Sequence, residues 1–442
     1  MTQNTTISAF DFHEDETKLR APKLKPAPFF MLNGSDGRSA TSDYEVLCRA
    51  NTRLVLSTVE WRVVRRRFAG WFYRFIPQML ISLARHGAAT SRVTGRSLAG
   101  QAADMFMLAN RTSMMPSEYD EFGLARFGGG AELRNFIPPR FYFFVALACG
   151  KSRRSSIDNP PDFKDKAVFE SHCRKLGEPS VRTVAIIGDR QVFGEDGVSG
   201  LRHLPDIDLF VKPKRGGQGR NTMMFRSLGS GSFRSNDGTV MAGEAVIELL
   251  LERAQEAKRS LLVQQALRNS AFVEELAGKA LATTRIITIR NEVDEPEVVF
   301  ACFRTAGSAH SIVDNYHASG IAFAIDINTG ELGAGRRLNF AENPRFHDIH
   351  PVTGKMMKGT KLPQWPEAKA LALRLHGSSP HLLVCGWDIA FTENGPCVIE
   401  ANLPPGTPVV QMQKGFLGTR YSQLLAMHAR KWLEAEKAET KP

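Results

Sequence analysis

Cys385-Gly-Trp-Asp388-Ile-Ala-Phe-Thr392, then Glu-Asn-Gly-Pro396, then Cys397-Val-Ile-Glu400-Ala-Asn402, is the stretch whose reading decides the fold. It reads as two short apolar strands joined by an Asn-Gly turn, a hairpin signal. Asp388 lies on the first strand. Glu400 and Asn402 lie on the second, two residues apart, and so share a face. Three oxygen-bearing side chains thereby gather at one end of a hairpin, a set suited to a hard cation such as Mg²⁺ (or Mn²⁺) that also holds phosphate oxygens. A Glu two residues before an Asn at a strand end is also common in solvated turns, so the rest of the chain has to decide.

The bulk numbers leave room for that chemistry. At 442 residues the chain is long enough for two or three domains, with an ordinary globular composition. The net charge of +11 makes an anionic partner plausible. The excess is uneven: Arg62, Arg65, Arg66, Arg67, Arg74, Arg85, Arg92 and Arg96 fall between Trp61 and Ala103, where there is no acidic residue. This reads first as a solvated basic face and, in the alternative, as a surface for anionic lipid or polymer; no specific nucleic acid is expected. The cysteines (48, 149, 173, 302, 385, 397) show no CxxC spacing, which argues against zinc and against a disulfide framework and fits reduced thiols. Residues 1–42 read as a polar, mobile tail without a signal-peptide layout. The longest apolar run, Phe141–Cys149, is too short to span a bilayer and reads as a buried helix or strand. A cytoplasmic location, with room for peripheral membrane contact, is the expectation.

Working outward from the hairpin, residues 43–150 carry a helical pattern. Leu54, Val55, Val59, Val63 and Val64, then Phe68, Phe72, Phe75 and Ile76, recur at three- and four-residue spacings. Pro77 is expected to kink or restart the helix, and Pro116 to start another at Ser117-Glu-Tyr-Asp-Glu. From Asp165 the pattern mixes. A helix over 165–177 stops at Gly177. Strands are expected over 181–187, 208–213, 260–267, 284–290, 297–305 and 321–326, with helices over 241–258, 366–376 and 419–436. Strands and helices without regular βαβ alternation indicate α+β.

A second signal is Asp208-Leu-Phe-Val-Lys212-Pro followed by Lys214-Arg-Gly216-Gly217-Gln-Gly219-Arg-Asn221. Glycines let backbone N–H groups approach a phosphate, and a strand-borne lysine adds a fixed charge. The loop is neither GxxxxGK[ST] nor GxGxxG. Alone it could be a plain hairpin turn. The order of elements says more: Asp165-Lys166 opening a helix, Lys212 ending a strand, the glycine-rich loop, the apolar strand Leu261-Leu-Val-Gln264-Gln265-Ala266-Leu267, the strand Thr283-Thr-Arg285-Ile-Ile, and the Asp/Glu/Asn hairpin last.

In that order the elements resemble the ATP-grasp superfamily, most closely its sugar-transfer-associated branch, which is similar to the α-L-glutamate ligases. The likeness runs roughly from Asp165 to Gln413. It implies two α+β subdomains sandwiching ATP over residues 151–425, with a hinge near 261–267. A basic helical domain (43–150) precedes them, and a C-terminal helix end and tail (426–442) follow. By resemblance, Lys166 and Lys212 reach the nucleotide, and Gly216, Gly217 and Gly219 form a lid over the phosphates. Gln264, Gln265, Ala266 and Leu267 form the hinge strand, whose backbone meets adenine. Asp388, Glu400 and Asn402 hold the metal. Arg285, Arg304 and Asn315 serve catalysis at the phosphate end. Ser319 stands where relatives carry the first glycine of an Asn-x-x-x-Gly-Gly turn, and Gln264-Gln265 where many carry a Glu.

The resemblance implies an ADP-forming ligase that joins a small carboxylate, polysaccharide- or amino-acid-related, to an amine or hydroxyl acceptor through an acyl phosphate. A phosphotransferase on the same fold is the alternative, and a non-catalytic nucleotide-binding protein docked to an anionic surface is a third. His347, Asp348 and His350 tempt as a metal cluster, but their spacing suits none, and a surface loop is expected. His317 is a candidate substrate contact. Replacing Asp388 or Glu400 by its amide is expected to leave folding nearly unchanged.

Overall fold

A computed structural model describes residues 42–58, 73–188, 190–194, 200–201, 203–216, 222–308, 320–337, 346–406 and 408–439. The expected tail, Gly217, Gly219, Asn315, His317, Ser319 and Arg62 to Arg67 lie outside them.

Two antiparallel sheets organise the chain. One has seven strands in the order β2-β1-β7-β3-β4-β5-β6. These are β1 (Thr183–Gly188), β2 (Gln191–Gly194), β3 (Leu209–Pro213), β4 (Met223–Gly229), β5 (Ser232–Ser235), β6 (Val240–Ala242) and β7 (Leu261–Gln265). The other has six, in the order β11-β10-β9-β8-β12-β13. Its strands are β8 (Thr283–Arg290), β9 (Pro296–Thr305), β10 (Ile321–Ile325), β11 (Leu332–Arg337), β12 (Val384–Thr392) and β13 (Gly395–Asn402). The β12–β13 pair is the hairpin read from sequence.

Alternation along the six-stranded sheet explains why it is buried on both faces. Cys385, Trp387, Ile389 and Phe391 point to one side, where they pack with Leu371, Ala372 and Leu375 of the Trp365–Gly377 helix. Ile287, Ile289 and Val384 point to the other, into a core built with helices Asp43–Thr58, Pro139–Ser155 and Arg420–Glu439. Phe141–Cys149 is therefore helical, and its Tyr142 ring stacks on Phe416 at 4.1 Å. The seven-stranded sheet has a separate core, where Val184, Leu209, Val211 and Val263 meet Val246, Ile247 and Leu250 of the Gly243–Ala257 helix.

The segment 73–136 has its own small core around Phe75, Leu108, Tyr119 and Phe136. The helix over 73–82 runs through Pro77 without restarting. Pro116 starts the Pro116–Glu121 helix as expected. Phe75 is buried, but Ile76 is 38% exposed, so the expected apolar stripe does not include it on its packed side. Arg96 is not a bare surface charge: its guanidinium binds both oxygens of Asp104, at 3.0 and 2.7 Å. Arg74, Arg85 and Arg92 are exposed. Arg336, 1% exposed, donates to the carbonyls of Glu121, Phe122 and Met412 and so ties this helical segment to the sheet.

All six cysteines are buried free thiols. His350 corrects the surface-loop expectation. It is fully buried, hydrogen-bonded through Nε2 to Thr305 Oγ1 at 3.0 Å, and burial pushes its pKa down to about 4. Asp348 beside it is exposed, so the two do not form a site. Among the described residues, no helix is long and apolar enough to cross a membrane.

Candidate active site

Strand register brings the predicted residues together. Asp388 on β12 lies opposite Arg285 on β8 and opposite Glu400 on β13, and Gly386 lies opposite Asn402. Arg285 therefore reaches Asp388 directly: Nη2 donates to Oδ2 at 2.8 Å, and Nε donates to Oδ1. Arg304, from β9, adds a third contact at 3.0 Å to Oδ2 and donates to the hydroxyl of Thr283 at 2.6 Å. Asp388 is 4% exposed and Arg285 8%. Burial alone would push the Asp388 carboxyl up, but the charges and hydrogen bonds of Arg285 and Arg304 win and hold it below the usual carboxylate range. The carboxylate expected to serve a metal is thus also the counter-ion of two arginines, one buried and one half-buried.

Glu400 is more open. Asn402 Nδ2 donates to its Oε1 at 3.4 Å and to the Gly386 carbonyl at 3.3 Å. The Lys166 ammonium lies 3.8 Å from Glu400 Oε2. Gly386 is required by close approach, since a Cβ there would lie 2.7 Å from Pro405 Cβ and 3.0 Å from Arg285 Cδ. The Pro404-Pro405 turn can therefore lie across the strand beside Asp388.

The cations come from the other sheet and the helix before it. Asp165 caps the Lys166–Lys175 helix, accepting from the N–H groups of Ala167 and Val168 at 3.0 and 3.4 Å. This fixes Lys166 in the first turn, where its Nζ donates to the Gly216 carbonyl at the start of the glycine-rich loop. The same carboxylate pairs with Lys214 at 3.1 Å, and Asp162 pairs with Arg215 at 2.8 Å, so the loop's base is anchored to the helix end. Lys212 on β3 is 7% exposed. Burial is the main cause that lowers its pKa to about 8. Lys166 acts the same way, while Glu400, Asp388 and Glu170 oppose it.

The strand expected as the hinge is tied into its sheet. Gln264 is buried, and its side chain donates to Thr183 Oγ1 at 3.1 Å, so that side chain serves the sheet. The N–H groups of Gln265 and Ala266 bond to the carbonyls of Arg182 and Asp208 at 3.0 and 2.8 Å. The Leu267 N–H has no backbone partner among the described residues.

Three contributors were not among the expected site residues. Glu170 faces Lys212 and accepts from the Thr183 N–H at 3.2 Å. Thr283 orients Arg304, and Asp165 anchors Lys214 as well as capping its helix. Only Asp165 carried a signal, as an Asp directly before a helical run.

The group can be tested for fit to a divalent ion. Two carboxylates and an amide oxygen are hard donors of the type Mg²⁺ takes. Three of the roughly four lone-pair positions of Asp388 already accept from arginine, so Glu400 and Asn402 would carry most of the contact. Among the described residues no group of three or more His, Cys, Asp or Glu side chains could hold a metal, and the Asp388–Glu400–Asn402 set reaches three donors only through its amide.

A family model described as sugar-transfer associated ATP-grasp matches residues 154–422, more than half of the chain. The chain belongs to that family. This ATP-grasp chain also resembles solved structures. One is the D-alanine–D-alanine ligase of Bacillus anthracis complexed with ATP (12% identity, TM-score 0.33, 63% of this chain and 68% of that one). Another is the L-amino acid ligase of Bacillus licheniformis (11%, TM-score 0.32, 60% of this chain and 48% of that one). A third is the N5-carboxyaminoimidazole synthase of Aspergillus clavatus in complex with ADP and its ribonucleotide (11%, TM-score 0.31, 61% of this chain and 52% of that one). The chain thus spans about half the length of the latter two. No curated protein matches the ATP-grasp chain.

Proposed function

We propose that this ATP-grasp protein is an ADP-forming ligase that activates a carboxylate with ATP and passes the acyl group to an amine or hydroxyl. One observation carries the reading. Lys166 from its helix, Lys212 from one sheet and Arg285 and Arg304 from the other converge on Asp388, Glu400 and Glu170, leaving an excess of positive charge where a polyphosphate would lie.

Phosphoryl transfer asks a protein chiefly for positioning and charge neutralisation. A carboxylate oxygen attacks the γ-phosphorus, and the bond from that phosphorus to the ADP oxygen breaks. The acceptor then attacks the acyl carbon, the carbon–oxygen bond to phosphate breaks, and the acceptor's proton leaves to solvent. In this reading Lys166 and Lys212 hold the phosphate chain, and the first glycine of the lid, Gly216, is drawn to Lys166. Leu267 N–H and the Gln265 carbonyl are the hinge groups for adenine. Arg285 and Arg304 face the charge that develops on the transferred group, and Asp388 keeps both guanidiniums in place. A magnesium ion held by Glu400, Asn402 and the remaining Asp388 lone pair would supply further neutralisation of phosphate charge. Asn315 keeps its proposed role by resemblance alone.

The test is to incubate the protein with ATP, Mg²⁺ and a panel of carboxylates paired with amines and alcohols, and to identify products. ADP with free phosphate, dependent on both substrates, supports the ligase. ADP with a phosphorylated acceptor makes the protein a phosphotransferase. Neither product would leave a nucleotide-binding role.

A further inference from the structure

A cavity of about 280 Å³ opens beside the reaction centre, and none of the roles above uses it. Its walls come from the Pro139–Ser155 helix (Leu147, Gly150, Lys151), from the start of β12 (Val384), from Leu403 and Pro404 directly after Asn402, and from His381. Val384, Gly386 and Asp388 alternate onto one face of the sheet, so cavity and candidate active site share that face. Four residues of strand, about 13 Å, separate Val384 from Asp388.

The chemistry of the walls is specific. The apolar surface exceeds the polar, and Lys151, Arg154 and Lys164 line it against a single carboxylate, Asp162. That carboxylate is taken by Arg215 at 2.8 Å. Arg154 is held in position by donating to the Pro160 and Pro161 carbonyls, both at 3.0 Å. His381 is 3% exposed, and its Nε2 has no hydrogen-bond partner among the described residues. Its ring lies edge-on to Phe163 at 5.2 Å, and burial, helped by the charge of Arg154, keeps it neutral, with a pKa near 4.

We infer that this cavity is a subsite for an anionic group on an apolar body, the part of the substrate remote from the reacting carboxyl. The substrate class is therefore an elongated acid with a second negative charge about a dozen ångströms from the first, by the strand spacing above. The inference of a substrate role rests on the ligase reading; the binding of the anion does not.

Gly150 offers a clean test. It lies inside a helix, and a Cβ added there meets nothing within 4 Å. Gly150→Phe therefore fills the cavity while gaining helix propensity. Lys151 is exposed and forms no ion pair among the described residues, so Lys151→Glu inverts one wall charge without breaking a contact. The probes are 4-fluorobenzoate and the neutral 4-fluorobenzamide, titrated onto the full chain and followed by fluorine NMR line width. We expect the benzoate to bind about tenfold or more tighter than the benzamide. Gly150→Phe should abolish that binding and Lys151→Glu weaken it about threefold, with melting temperature and affinity for an ATP analogue unchanged in both. Equal binding of the two probes, or benzoate binding that survives Gly150→Phe, overturns the inference. Anion binding as described in a protein that releases no ADP with any carboxylate would keep the site and sink the ligase reading. Turnover whose KM ignores Gly150→Phe would do the reverse.

Discussion

The two sheets divide the labour unequally. The six-stranded sheet is covered on both faces, and its centre holds an ion cluster of buried Arg285 and Asp388 with the half-buried Arg304. The seven-stranded sheet thins out along β4, β5 and β6, where most residues are partly or fully exposed, and contributes one buried lysine and a loop held at its base by ion pairs. On the proposed reading, the groups that would meet developing charge sit on the heavily packed sheet, and those that would admit and release a nucleotide sit on a light element with a fixed root. Side chains placed by strand register keep their geometry at no cost at the moment of reaction. Loops opening with low free energy suit a lid.

If that contrast holds, damage to the heavy sheet should be catalytic and structural, and damage to the light one should show in affinity. Glu400→Gln removes a charge from the open side of the cluster without orphaning an arginine. Turnover should fall about a hundredfold or more while the thermal midpoint stays near wild type, measured by ADP release and calorimetry. Asp388→Asn should lose as much activity and also about 3–5 kcal/mol of stability in urea titration, because the buried Arg285 and the half-buried Arg304 lose their counter-charge. That departs from the expectation, drawn from sequence, of an unchanged fold. A wild-type urea midpoint for Asp388→Asn would mean that the arginines do not depend on it.

Lys212→Ala should weaken a non-hydrolysable ATP analogue by about tenfold or more in calorimetric titration, since a charge-assisted contact contributes about 1.5–3 kcal/mol. The pH dependence sharpens this. With a pKa near 8 in the folded protein, Lys212 is charged below that pH, and wild-type affinity should decline as pH rises through it. The decline should be absent in Lys212→Ala. For stability the sign is opposite. The folded pKa lies below the ordinary 10.5, so burial of the charge is a penalty below pH 8 that is relieved between about 8 and 10.5. The smallest effect is expected at the loop's root. Asp165→Ala removes a helix cap and the Lys214 pair, costing about 1 kcal/mol in stability and only a few-fold in analogue affinity.

The same contrast explains what could be read from sequence. The strands of the heavy sheet carry runs such as Thr284–Ile289 and Val384–Phe391, and the hairpin ends in polar groups at period two, so strands and site residues were legible together. The ion cluster was not, because Arg285 and Arg304 meet Asp388 only through pairing of strands some hundred residues apart. In the light sheet β4 to β6 were missed. Their alternation of Arg226, Ser227, Gly229, Ser232 and Arg234 has too few apolar residues to signal strands when one face is solvated. β11 was missed for another reason. Gly335 gives up its side chain to seat the Phe323 ring, which would lie 2.4 Å from a Cβ there, and glycines in sequence read as a turn. The Gln264 side-chain partner was likewise illegible, because a side chain on an inner strand has a neighbour the sequence does not name, here Thr183.

The central claim is that nucleotide phosphates lie between Lys166 and Lys212 on one side and the Glu400 side of the six-stranded sheet on the other. Titration of a non-hydrolysable ATP analogue, with and without Mg²⁺, into wild type and Glu400→Gln tests it most directly. The account predicts that Mg²⁺ strengthens binding to wild type by about tenfold or more, and that Glu400→Gln loses this gain while still binding the analogue through Lys166 and Lys212. An analogue that fails to bind wild type, or an Mg²⁺ effect of equal size in both proteins, would contradict it.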